Sequence, residues 1–209
     1  MHPVSEVFSA LWPQARCRNL LDDSLSPDLE AQGMGPAMVD RMVGLAGYAR
    51  THGADAVLFT CSAFGVAIEA AQKVHDIPIL KPNEAMFDEA LDLCQALPRS
   101  GRIGLLTTFA PASASMQQEL QETIAQRQLS VTVEAVCAEG ALARLQAGDG
   151  TAHDQMVLNA AQRMPLCDVY VVGQFSMART QPLLAAALGQ PVLTSPTSAV
   201  HRLKTALGV

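Results

Sequence analysis

The stretch DAVLFTCSAF, beginning at Asp55, returns in outline as DVYVVGQFSM, beginning at Asp168, 113 residues further on. The same spacing lays Pro78 of PILKPNEAM on Pro191 of PVLTSPTSA, and RCRNLLDD (16–23) on LSVTVEAV (129–136). Three matches at one offset, with no gap, are the signature of an internal repeat, and a repeat constrains the fold more than any single segment does. Each copy alternates a short apolar run with a helical pattern, the rhythm of βα units on a parallel sheet. The repeat predicts an α/β chain of two pseudo-twofold-related βα lobes, each on a parallel four-stranded sheet. The lobes fall at 1–98 and 99–195, followed by a C-terminal segment, 196–209, with a helix at 197–207.

The second copy opens on RIGLLTTFAP (102–111), a buried strand entering a Thr-Thr loop, whose counterpart in the first copy would precede residue 1. HPVSEVFSALW (2–12) then corresponds to the helix after that strand. The first lobe is therefore expected to lack its first strand, with the chain starting late in the lobe. Composition bounds the partners. A formal net charge of −6 and 16% charged residues argue against a nucleic-acid backbone or an anionic membrane surface. No apolar run approaches the ~20 residues of a membrane span, and no secretory leader pattern opens the chain. The five cysteines, at 17, 61, 94, 137 and 167, are scattered, with no C-x-x-C pair. That usage suits neither a disulfide framework nor a metal cluster, and the expected location is the cytoplasm.

In open α/β sheets ligands gather beyond the carboxyl ends of the strands. The stretches placed there are Thr60-Cys61-Ser62, Lys81-Pro82-Asn83-Glu84, Thr107-Thr108-Phe109, Gly173-Gln174-Phe175-Ser176 and Thr194-Ser195. Cys61 falls between a strand and a helix, where free amides such as those of Ser62 and Ala63 favour a thiolate or hold an oxyanion. Cys17, Cys94, Cys137 and Cys167 read as core filler, since free cysteine is among the most buried residue types. Thr107 and Thr108 carry hydroxyls and amides suited to a carboxylate, or equally form a turn into Pro111. Asn83 reads as the N-cap of a helix beside a Lys81–Glu84 surface pair. His52, His75 and the His153-Asp154 pair read as solvated helix positions. No nucleotide-binding or zinc-protease motif is present.

The two cysteine-type loops and the Thr-Thr loop between them resemble the aspartate/glutamate/hydantoin racemase superfamily over nearly the whole chain. FTCSAFG is similar to the family's first cysteine loop, LLTTFAP to its central carboxylate-binding loop, and VVGQFSMA to its second cysteine loop. The resemblance implies a cofactor-independent, metal-free enzyme acting on the carbon acid of a small carboxylate held between the lobes, with a thiol on each face. On this chain it assigns catalysis to Cys61. It assigns substrate contacts to Thr60, Ser62, Ala63, Asn83, Thr107, Thr108, Gln174, Phe175 and Ser176. Phe109 stands where the family commonly has tyrosine, and Gln174 stands at the second cysteine.

That last departure changes the chemistry, because a carboxamide donates and accepts hydrogen bonds but does not shuttle protons near neutral pH. Cys61 would then act alone, as the acid/base or nucleophile of an isomerase or racemase. The alternatives are a single-cysteine decarboxylase of arylmalonate type and a non-catalytic member that binds a small acid. A small carboxylate is the expected partner, and a homo-oligomer stays open.

Overall fold

A computed structural model describes residues 3–209, so His2, the first residue of the predicted N-terminal helix, lies outside the described residues. By its contacts the chain divides into two compact units. The smaller comprises residues 5–82 and 199–209, and the larger comprises 83–198 with Pro3 and Val4.

The smaller unit contains most of α1 (Pro3–Leu11), α2 (Leu25–Gln32), α3 (Pro36–Thr51), β1 (Val57–Leu58), α4 (Gly65–Val74) and β2 (Ile79–Leu80). Strands β1 and β2 pair in parallel, Val57 opposite Ile79 and Leu58 opposite Leu80, with α4 as the crossover. Helix α3 buries Met38, Met42 and Ala46, spaced four residues apart and so on one face. They share a core with Phe64, Ala67, Ile68 and Ala71 of the turn and helix after β1. The sheet has two strands here, not more, because 16–23 forms no strand. RCRNLLDD offers neither an alternating pattern nor a continuous apolar run, and Leu21 is 83% exposed. Its acidic end is used instead as an anchor: Arg41 of α3 donates to Asp22 (2.9 Å from Nε) and to Asp28 (2.5 Å from Nη1).

The larger unit contains α5 (Glu84–Gln95), β3 (Gly101–Thr107), α6 (Ala110–Gln126), β4 (Val131–Cys137), α7 (Ala141–Gln146), α8 (Gly150–Gln162), β5 (Val169–Val172), α9 (Gln181–Leu188), β6 (Val192–Thr194) and the start of α10 (Ser195–Leu207). Its four strands are parallel, in the order β4-β3-β5-β6. Strand β3 is central and its side chains alternate. Ile103 and Leu105 join Val169 and Val171 against α5 and α6, while Leu106 joins Tyr170 and Val172 against α8 and α9. A sheet covered on both faces needs such unbroken apolar strands, which is why β3 and β5 were plain in the sequence. Helix α5, which the repeat assigns to the first lobe, packs here: Met86, Phe87, Ala90, Leu91 and Cys94 belong to the core of the larger unit.

Two close approaches set the spacing of β3 and β5. A Cβ on Gly104 would stand 2.6 Å from the Tyr170 ring and 3.1 Å from Cys167 Sγ, so glycine makes room for the aromatic side chain directly across the ladder. At the amino end the Asp168 carboxylate accepts from the Arg102 backbone N–H at 2.8 Å and from Arg99 at 2.5 and 3.0 Å.

Candidate active site

In the smaller unit, the strand end after β1 runs through Phe59, whose N–H donates to the Leu80 carbonyl at 3.1 Å, to Thr60 and Cys61. Cys61 has ordinary extended backbone (φ −124°, ψ 121°), and a short 3-10 turn, Ser62–Phe64, leads from it directly into α4. Phe64 is buried and fixes the turn, leaving Thr60, Cys61 and Ala63 exposed and Ser62 half-buried. The thiol is therefore at a strand end and open to a ligand. The other cysteines differ in kind. Burial pushes the Cys94 and Cys167 thiols up to about 11, with the negative charge of Asp168 adding to the rise at Cys94. Both are inert thiols at neutral pH. Cys137 is half-buried, and Cys17 is exposed, contrary to its expected place in the core; it sits in the 16–23 segment that forms no strand.

In the larger unit, β3 and β5 end side by side, with Leu106 opposite Val172 and the Gly173 N–H donating to the Leu106 carbonyl at 2.8 Å. A Cβ on Gly173 would meet Met116 Sδ and Cε at 2.9 Å and Thr107 Cγ2 at 3.0 Å, so only glycine lets the two loops come this close. Thr107 and Thr108 are buried, and Phe109 beyond them is half exposed. The Thr107 hydroxyl donates to the Val136 carbonyl at 3.4 Å. Thr108 makes the defining contact: its backbone N–H donates to Gln174 Oε1 at 2.9 Å, and its hydroxyl donates to the same oxygen at 3.3 Å. Gln174 has extended backbone (φ −126°, ψ 144°) and precedes a 3-10 turn, Phe175–Thr180, just as Cys61 precedes Ser62–Phe64. Phe175 and Ser176 are half-buried in that turn.

Three polar residues make contacts or have burial other than expected. Asn83 occupies the N-cap position of α5, but its side chain does not cap. It is 2% exposed, and its Oδ1 accepts from the buried Ser195 hydroxyl at 2.8 Å. Lys81 pairs with Glu69 at 2.9 Å. His153 is fully buried instead of solvated. Its Nδ1–H donates to Asp154 at 2.7 Å, that carboxylate also accepts from Arg179 Nε at 3.1 Å, and His153 Nε2 is buried without a partner. The ion pair beside it satisfies one ring nitrogen, and the helical pattern around His153 gave no sign of this. His52 is exposed, as expected, and His75 is half-buried with Nε2–H donating to the Val43 carbonyl at 2.9 Å. Among the described residues no group of three or more His, Cys, Asp or Glu side chains converges, and no helix is long and apolar enough to cross a membrane.

Each unit is thus a parallel α/β layer with polar residues beyond its strand ends, an open thiol after β1 in the smaller unit and the Thr108–Gln174 contact after β3 and β5 in the larger. The chain belongs to the Asp/Glu/Hydantoin racemase family, whose model matches residues 5–203. No curated protein matches it by sequence. Among solved structures it is similar to the glutamate racemase isoform RacE1 from Bacillus anthracis, with a TM-score of 0.66 and 16% identity over 99% of this chain and 77% of that one. It is also similar to allantoin racemase from Klebsiella pneumoniae (0.57, 20% identity, 82% and 67% covered). A third is arylmalonate decarboxylase (0.55, 15% identity, 83% and 77% covered). At these identities the likeness is one of fold.

Proposed function

We propose that this protein is a cofactor-independent enzyme of the racemase/isomerase type, acting in the cytoplasm on the carbon acid of a small carboxylate, with Cys61 as its acid/base. The observation that carries the reading is the placement of Cys61: exposed, at a strand end and at the entrance to a helix, in a chain of this family. The Cys61 thiolate takes the α-proton, the C–H electron pair moves into the adjacent carbonyl to give an enolate, and the proton returns to carbon from the thiol or from water. Amide and hydroxyl donors of the Thr108 type suit the oxygen on which the charge develops. Gln174 supplies no second proton carrier, so exchange of the α-proton with solvent is expected to outpace inversion.

The test is deuterium incorporation at the α-carbon across amino acids, hydantoins, malonates and maleate, with decarboxylation and isomerisation followed alongside. Cys61→Ala should lower the active reaction by about 10²-fold or more, the range of a positioned general acid/base. Fast carbamidomethylation of Cys61 by iodoacetamide against slow labelling of Cys94 and Cys167 is the accompanying signature. A second reading, a non-catalytic binder of a small acid, is favoured by one observation: the donors of Thr108 are taken by Gln174. Absence of exchange, decarboxylation and isomerisation over the panel decides for that reading.

A further inference from the structure

We infer that the Gln174 carboxamide is a built-in occupant of an oxyanion position at the end of β3, and that a ligand carboxylate binds there by displacing it. Two donors of one residue, the Thr108 N–H and hydroxyl, converge on a single atom at 2.9 and 3.3 Å. A backbone N–H can only donate, so the atom facing it is the amide oxygen and not the amide nitrogen. That is how a carboxylate or enolate oxygen is held, with the oxygen supplied by the chain itself.

Thr108 is 5% exposed, too buried for bulk water to serve its N–H, and an unpaired buried donor is costly. The N–H therefore calls for an acceptor oxygen, which Gln174 supplies in this structure and a ligand oxygen can supply in its place. The competition favours a charged ligand. Hydrogen bonds to a carboxylate are roughly twice as strong as those to a neutral amide. The 17-residue helix α6 also begins two residues beyond Thr108, and its amino end favours negative charge over a neutral dipole. Gln174 can yield: it is only half-buried, it is held through Oε1 alone, and its backbone is unstrained. The resulting filter admits carboxylates and rejects neutral amides and ketones, which gain nothing over the resident carboxamide. The inference rests on the carboxylate-binding part of the proposed function and not on the chemistry of Cys61.

The experiment measures malonate binding by titration calorimetry in the Cys61→Ala background, where no turnover intervenes. Gln174→Ala removes the competitor and should tighten malonate by about tenfold, the worth of one net hydrogen bond or slightly more. Adding Thr108→Val, which deletes the hydroxyl, should give back a large part of that gain. Acetamide should bind neither protein measurably. A second measurement needs no Gln174 variant: in the full chain carrying Gln174, the side-chain amide resonance of Gln174 should move on titration with malonate and stay still with acetamide. Equal or weaker malonate binding by Gln174→Ala, an unmoved Gln174 amide, or no malonate binding by any form overturns the inference. Cys61 labelling and α-proton exchange in the native sequence are read separately, so failure here leaves that reading standing, and the reverse holds too.

Discussion

Gly173 is a residue whose importance lies in what it leaves out. Its neighbours on the missing Cβ are unequal: the end of Met116 can swing away, but Thr107 is β-branched and buried in the ladder. Gly173→Ala is therefore expected to cost about 1–3 kcal/mol, as overpacking of a filled core does. The melting temperature should fall by roughly 2–12 °C, at about 2–4 °C per kcal/mol for a chain of this size. Calorimetric melts of the two proteins check this, and an unchanged melting temperature contradicts the close approach. The position of Gln174 just beyond the end of a strand was legible from the 113-residue repeat. Its bond to Thr108 was not, because a repeat aligns strands with their copies without saying which strands are neighbours in the sheet. Likewise the apolar period of α8 cannot reveal that His153 is buried, since burial there depends on Asp154 and Arg179.

At the scale of elements, β3 and β5 are joined at both ends by different means. The carboxyl ends meet through the neutral Gln174–Thr108 contact, while the amino ends meet through Asp168. The guanidinium of Arg99, together with the N–H of Arg102, holds the Asp168 carboxyl below its usual range against the opposing effect of burial. A carboxylate whose pKa is lowered by folding stabilises the native state above its unfolded pKa, about 3.9, and loses that contribution as pH falls towards the folded value. The stability difference between the native protein and Asp168→Asn should thus be constant from pH 7 to about pH 5 and close below about pH 4. Urea unfolding at several pH values measures it, and a gap that persists undiminished at acid pH would rule out the ionised clamp. The strands themselves, from 101–107 to 192–194, were readable as apolar runs bounded by turn residues. The 16–23 match failed for a physical reason: an offset can align two segments, but only apolar faces make a strand, and that segment has none.

The whole chain carries its cores in two compact units, and the larger is nearly continuous in sequence. Residues 83–198 hold four parallel strands with helices on both faces and two apolar clusters. A fragment from Asn83 to the end of α10 at Leu207 is expected to fold alone, with a cooperative thermal transition by circular dichroism and protected amides in β3 and β5. A fragment that melts without cooperativity would show that this sheet depends on the remaining residues. The boundary at 82/83, ahead of α5 instead of behind it, follows from the side chains of α5: Met86, Phe87, Ala90, Leu91 and Cys94 meet the sheet of the larger unit. A repeat cannot foretell this, since it records ancestry of the chain and not the destination of one amphipathic helix.

Cys61 and Gln174 sit on the same local main chain, extended and one residue ahead of a 3-10 turn. The two loops thus present side chains of unlike chemistry from like starting geometry. A thiol in one and a carboxamide in the other are carried on similar extended main chain. In such a scaffold reactivity evolves faster than architecture: one protein can drift from two proton carriers to one, or to none, while its overall form gives no outward sign of the change.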